Sequence, residues 1–232
     1  MRLIINTVVA NEEETIVNFL NNIRKIRDVW AVNILDGFWK QELNPFIKSI
    51  DKTKERVEEW AKKHSVPFEI NYYESDHIWR TESEKRNHLF KLTLEKYNKC
   101  WIFVIDADES VKFPNGLVAV TLLPDLIEHE YPGIITCYAY NSVLEFPTVR
   151  LIPSGEGYHY HTERAMLLHD KDCNVVVDYN PNCYYRARKT FDLKGIIMVN
   201  FWTLRKKIRQ FTKAHYAMYQ YGQDKGLKCK WK

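Results

Sequence analysis

No stretch of this 232-residue chain approaches the length of apolar sequence that a membrane-spanning helix needs. The five cysteines, Cys100, Cys137, Cys173, Cys183 and Cys229, are odd in number and form no C-x-x-C pair. That argues against a disulfide frame or a cysteine zinc site and for reduced thiols in a reducing compartment. No N-x-S/T sequon occurs. The one leader-like stretch, Arg2 followed by Leu3 to Ala10, is interrupted by Asn6 and Thr7 and runs into Glu12-Glu13-Glu14. It reads as a first strand, not a signal peptide. These absences predict a cytoplasmic protein.

What is present is ordinary globular material with an aromatic bias. Apolar residues make up 45% and charged residues 28%, as in a typical single domain that can bury a sizeable core unaided. The net charge of +4 is too mild to imply nucleic acid. Fourteen Tyr and seven Trp suit stacking on sugar or base rings as well as a core.

Residues 2–9 are rich in β-branched side chains and predict a strand. Asn11 then stands where a helix cap would, before the acidic Glu12 to Glu14, and Ile16, Phe19, Leu20, Ile23 and Ile26 follow at helical spacing. A second strand runs from Val29 to Leu35 and ends at Asp36-Gly37. A helix is predicted from about Phe46 to His64, a strand from Pro67 to Tyr73, and a helix from Glu82 to Tyr97. Trp101 to Ile105 is wholly apolar, as in a parallel strand buried on both faces. Strand and helix alternate in this way over about a hundred residues, which is the pattern of βαβ units. Ligands bind such sheets at the carboxyl ends of the strands. There the sequence supplies Asn11 and Glu12, Asp36, and Asp106 to Glu109.

The pattern changes after Glu109. Gly116 to Glu130 reads as a helix kinked near Pro124. Short strands are predicted at Ile134–Tyr140, Thr148–Ile152, Ala165–Leu168 and Val175–Tyr179, forming a smaller mixed sheet. From Val199 to Lys232 nine Lys and Arg face the single acid Asp224, with aromatics interleaved. Such a basic amphipathic segment packs on the body, lies on an anionic membrane surface or binds nucleic acid, the last being least favoured.

Asp106-Ala107-Asp108-Glu109 carries the chemistry. Two aspartates leaving a buried strand at i and i+2 can aim both carboxylates at one hard cation. Mg²⁺ and Mn²⁺ prefer oxygen and share few protein carboxylates with substrate phosphates. A cation there neutralises charge on a departing diphosphate. The plain structural alternative is an acidic turn capping the next element.

In order along the chain stand Asn11-Glu12-Glu13, Asp36, Ser49-Ile50-Asp51-Lys52-Thr53, Arg86-Asn87 and Ile105-Asp106-Ala107-Asp108-Glu109. Together they resemble family 2 glycosyltransferases of the GT-A fold, and among these the small bacterial and archaeal enzymes that modify surface polysaccharide or lipopolysaccharide core. The resemblance covers roughly residues 3–110. It implies an α/β fold, with a Rossmann-like, mostly parallel central sheet flanked by helices, a smaller mixed sheet and a C-terminal basic helical tail. Residues 1–198 would form one catalytic domain, 1–110 its donor half and 111–198 its acceptor half, with 199–232 the tail.

By that resemblance Asn11 and Glu12 line the nucleotide pocket, and Asp36 holds the base or ribose. Asp51 completes the family's Ser-x-Asp, and Arg86 approaches the phosphates. Asp106 and Asp108 bind Mn²⁺ or Mg²⁺, Asp108 more directly. One departure stands out. In the family, Ser-x-Asp-x-Thr lies a few residues after the second-strand aspartate. Here Gly37 to Lys48 intervene, either as an insertion or because the Ser49-Asp51-Thr53 match is chance.

The stretch from Arg150-Leu151-Ile152 to His161-Thr162-Glu163 resembles the family's Arg-Leu segment leading to a His-Glu pair. His161 is then a metal or diphosphate contact, and Glu163 the base that takes the acceptor hydroxyl's proton. Glu109 is the alternative catalytic acid. The donor implied is a nucleotide sugar, UDP-linked by default with GDP-mannose as competitor. The acceptor would be a glycan, a lipid-linked saccharide or a protein. The tail offers peripheral contact with an anionic membrane, on its cytoplasmic face.

Rival readings keep some of these residues. Aspartyl-phosphate phosphatases also place D-x-D after an apolar strand, though near their N-terminus and followed by Thr or Val. Nucleotidyltransferases of related fold need a Gly-rich loop after the first strand, and Val8-Val9-Ala10-Asn11 has none. A catalytically inactive sugar- or nucleotide-binding protein is the non-enzymatic alternative.

Overall fold

The computed structural model describes residues 2–40, 46–112, 133–139, 142–155, 157–161, 164–173, 175–180, 183–187 and 191–200. Strand β1 (Arg2–Val9) is followed by helix α1 (Ile16–Ile23), β2 (Val29–Asp36), α2 (Thr53–Lys63), β3 (Glu69–Glu74), α3 (Glu82–Lys96) and β4 (Cys100–Val104). Then come β5 (Glu109–Lys112), β6 (Gly133–Ala139), β7 (Ser142–Pro153), β8 (His159–His161), β9 (Arg164–His169), β10 (Val175–Asn180), β11 (Cys183–Ala187) and β12 (Phe191–Asn200).

The central sheet has the order β3-β2-β1-β4-β7-β6-β12-β5. β3, β2, β1 and β4 are mutually parallel, while β7 runs antiparallel to both β4 and β6. The four parallel strands need helical crossovers, and these cover the sheet on both faces. Side chains alternate along β1. Leu3 and Ile5 join α1 and α2 through Phe19, Leu20, Val57 and Trp60. Ile4 joins Phe90 and Tyr97 on the opposite side, together with Tyr160 of β8. Each fully buried Ile or Leu contributes about 1.5–3 kcal/mol.

Polar residues punctuate this core in one row. Asn6, Asn33 and Asn71 are register neighbours on β1, β2 and β3. Asn71 Nδ2 donates to Asn33 Oδ1 at 2.8 Å, and Asn33 Nδ2 donates to Asn6 Oδ1 at 3.2 Å and to Thr93 Oγ1 of α3 at 2.8 Å. A buried amide must find partners or its desolvation is uncompensated. The ladder therefore sets strand register and fixes α3 along the strands.

The first half follows the predicted alternation, with two local differences. The second helix begins at Thr53, because residues 46–52 spend their polar groups on the neighbouring loop and not on a helix. Asn11 caps no helix. It has φ +54°, and α1 starts only at Ile16 after Thr15.

The second half differs more. β5, β6, β7 and β12 extend the central sheet, and only β8 to β11 form a separate, four-stranded antiparallel sheet. The β12 strand runs to Asn200, so the tail predicted from Val199 begins inside the sheet. The helix expected at Gly116–Glu130 and the tail beyond Asn200 lie outside the described residues. Among the described residues, no helix is long and apolar enough to cross a membrane.

Asn87 joins the two sheets. Its Nδ2 donates to the Tyr160 carbonyl at 2.7 Å and its Oδ1 accepts from the Tyr160 N–H at 2.8 Å. Asn87→Ala leaves both backbone groups without that partner. It should cost about 2 kcal/mol, read as a lower urea midpoint at unchanged slope. An unchanged midpoint would show that the small sheet is held by other means.

Candidate active site

The carboxyl ends of β1, β2 and β4 lie at one edge of the sheet, where Val9 pairs with Asp36 and where Asn6 pairs with Val104 just before Asp106. Two polar clusters meet there. The first is built by the loop after β1 and by residues 49–53. Asp36 Oδ1 accepts from the Ser49 N–H at 3.0 Å and from the Ser49 hydroxyl at 2.6 Å, and its Oδ2 accepts from the Tyr72 hydroxyl at 2.8 Å. Burial and the Asp36 charge push the Tyr72 phenol far above its ordinary range, so it stays a donor.

Ser49 Oγ also accepts from the Asn11 N–H at 2.8 Å, and Asn11 Oδ1 accepts from the Ile50 N–H at 2.9 Å. The left-handed backbone at Asn11 turns its amide toward Ser49. The Glu12 N–H donates to Thr53 Oγ1 at 2.7 Å, and the Glu13 N–H to Asp51 Oδ2 at 3.1 Å. Asp51 Oδ1 accepts from the Thr53 N–H and hydroxyl. Ser49, Asp51 and Thr53 are thus each bonded to Asp36 or to Asn11–Glu13. The chain leaves this edge at Gly37 and is back against Asp36 at Ser49.

The returning strand-like stretch is pinned as well. Phe38 N–H donates to the Ile47 carbonyl at 3.0 Å, and Trp39 bridges Trp79. Gly37 is the one residue type that fits its position, because a Cβ there would lie 2.1 Å from Ser75 Oγ.

The second cluster surrounds the acidic turn. The Asp106 N–H donates to Glu109 Oε2 at 2.9 Å, and the Glu109 N–H to the Asp106 carbonyl at 2.9 Å, which closes the turn on itself. Arg86 Nη2 donates to Asp106 Oδ1 at 2.6 Å, and its Nε to Glu82 Oε1 at 2.8 Å. Arg150 Nη2 donates to Glu109 Oε1 at 2.8 Å, and its Nη1 lies 3.6 Å from Asp106 Oδ2. Burial opposes the charged form of Arg86, but Asp106 and Glu82 outweigh it and hold the guanidinium well above its ordinary value. Glu109 is pushed up to about 8 by burial, with Asp106 and Asp108 reinforcing the shift and Arg150 opposing it. Asp106 and Glu109 are thus each engaged by a guanidinium in a mostly buried place, with the buried Asp108 beside them on the same turn.

Lys85 links the two clusters. Its side chain is wholly buried, and its ammonium donates to the carbonyls of Val9 at 2.7 Å and Gly37 at 2.5 Å, the ends of β1 and β2. The next residue, Arg86, serves the end of β4. The first turns of α3 thus place two cations beneath three strand ends.

The structure brings Asn11, Glu12, Asp36, Asp51, Arg86, Asp106, Asp108 and Glu109 to this one edge. His161 ends β8 and stacks edge-on against His169 with ring centroids 5.0 Å apart. Among the described residues, no set of three His, Cys, Asp or Glu side chains is arranged to enclose a metal ion. Glu163 lies outside the described residues. Lys85, Arg150 and Tyr72 were given no role by sequence reasoning. Of these only Arg150 stood in a recognised pattern, as the first residue of the Arg-Leu segment.

No protein-family model matches the chain, and no curated protein matches its sequence. Solved structures do resemble it. The structure of S. aureus TarS 1–349 matches at 17% identity with a TM-score of 0.45, covering 61% of this chain and 37% of that one. The same protein in complex with UDP-GlcNAc matches at 18% identity and 0.43, covering 61% and 36%. The mannosyltransferase PcManGT from Pyrobaculum calidifontis, in complex with GDP-Man and Mn²⁺, matches at 18% identity and 0.44, covering 60% and 36%. The chain spans little more than a third of each, and these likenesses assign no residue a role.

Three single substitutions and one double variant test the clusters. Ser49→Ala removes a donor to Asp36 and the acceptor of the Asn11 N–H, and should cost about 2 kcal/mol. Lys48→Ala, which breaks an ion pair with Glu74 whose lysine is 51% exposed, should stay within about 0.5 kcal/mol. Arg150→Met strands a buried carboxylate and should cost about 3 kcal/mol, most of it recovered in Arg150→Met/Glu109→Gln. Chemical denaturation reads all of these, and equal costs for Ser49 and Lys48 would refute the cradle.

Proposed function

We propose that this chain is a glycosyltransferase of the GT-A type that moves a sugar from a nucleotide-sugar donor to an acceptor hydroxyl with the help of a divalent cation. The observation that carries the reading is the Asp106–Glu109 turn, held between Arg86 and Arg150 at the carboxyl edge of a parallel sheet. Sugar transfer from a nucleotide diphosphate asks for a place where negative charge leaves. Two aspartates on one turn suit a cation shared with phosphates, not an all-protein cage. Mn²⁺ or Mg²⁺ bound there by Asp106 and Asp108 would stabilise the departing diphosphate.

The protein's own groups divide the remaining work. The loop at Asn11–Glu12, with Asp36 and Asp51, forms the nucleoside side of the pocket. Arg86 orients Asp106 and faces the phosphates. Glu109 is engaged by Arg150 and by the Asp106 N–H, so it acts as the brace of the acidic turn. That leaves Glu163 as the base for the acceptor hydroxyl, with His161 toward the diphosphate. A UDP-sugar is the default donor and a GDP-sugar its competitor, the two donor classes held by the similar solved structures.

Two measurements decide this. In a thermal-shift panel of nucleotide sugars, one donor class should raise the midpoint, and more so with Mn²⁺. Asp108→Ala should abolish Mn²⁺-dependent transfer or donor hydrolysis, at least a hundredfold, while keeping its melting transition. Undiminished turnover in Asp108→Ala would overturn the proposal.

A further inference from the structure

At the opposite, amino-terminal edge of the parallel strands lies a concave pocket of about 1190 Å³. It is bordered by the start of β1, the chain between α1 and β2, and the end of α3. Arg2, Arg24, Arg27, Lys96 and Lys99 line it, against the single acid Asp28. Lys96 is paired with Glu69. Among the described residues, no carboxylate pairs with the side chains of Arg2, Arg24, Arg27 or Lys99.

Trp30 stands in the same wall. It is 50% exposed although it belongs to a central strand, and the Arg2 guanidinium lies 4.4 Å over its ring. Such stacking orders a guanidinium without consuming its N–H donors. The C-termini of α1 and α3 account for one or two nearby cations. They do not account for unpaired arginines gathered round a hollow with an exposed indole. Like charges lining one pocket repel, and an anion bearing several charges relieves them.

We propose that this pocket binds a soluble anion carrying two or more phosphate groups, with Arg2, Arg24 and Arg27 as its principal donors and Trp30 as a wall for an attached ring. Arginine forks match phosphate oxygens in pairs. The site is separate from the acidic turn: β1 has eight residues, which at ~3.3 Å per residue puts its two ends roughly 23 Å apart. The inference stands apart from the donor chemistry above.

The test follows the indole N–H of Trp30 by NMR in the full chain, assigned with Trp30→Phe, during titration with sodium tripolyphosphate. The signal should shift saturably. Arg24→Ala/Arg27→Ala should weaken the apparent affinity at least tenfold, and Lys62→Ala/Lys63→Ala, an equal charge change on exposed α2 residues, should leave it within twofold. An unmoved Trp30 signal would overturn the proposal. So would equal weakening by both double variants, or a response to phosphatidylglycerol vesicles and none to tripolyphosphate.

Discussion

Four side chains hold the candidate site in place: Arg86, Asp106, Arg150 and Glu109 link α3, the end of β4, β5 and β7. None would be stable in its surroundings alone. A guanidinium that is nine-tenths buried needs its carboxylate, and a carboxylate buried against two others needs its guanidinium. Such an arrangement adds little net stability compared with an apolar core. What it supplies is position: the acidic turn can sit in one place only, because each charge there is answered from a different element.

The rest of the architecture serves that geometry at one remove. The Asn6–Asn33–Asn71 row with Thr93 fixes how far α3 lies along the strands, and the height of α3 decides what Lys85 and Arg86 reach. Lys85 meets two backbone carbonyls at the ends of β1 and β2, and Arg86 meets the end of β4. A slip of one residue in the helix would put Arg86 in the place of Lys85 and Asn87 in the place of Arg86. The precision of the surface therefore depends on a polar row inside the core.

The first half of the fold was legible because its signals were local. Apolar alternation marked β1 to β4, and the polar residues at the strand ends followed from where parallel sheets bind ligands. The return of Ser49, Asp51 and Thr53 to Asp36 was not decidable from spacing, since twelve residues intervene between Asp36 and Ser49 and only tertiary hydrogen bonds close the gap. Asn11 was misread for a related reason: its side chain satisfies the Ile50 N–H, a contact across 39 positions, in place of a helix end. The second half was less legible. Its strands are antiparallel, and which sheet each one joins depends on pairing partners far away in the chain. Lys85 was invisible, because a lysine on an amphipathic helix ordinarily points to water.

The bond between Asn87 and Tyr160 has a consequence beyond joining two sheets. β8 is a three-residue strand at the open edge of the small sheet. An open edge displays unpaired N–H and C=O groups that invite a strand from another molecule. By donating to one and accepting from the other, the Asn87 amide imitates a neighbouring strand for the length of a single residue. A side chain on a helix thereby occupies that edge at Tyr160, where a strand from another molecule would otherwise pair.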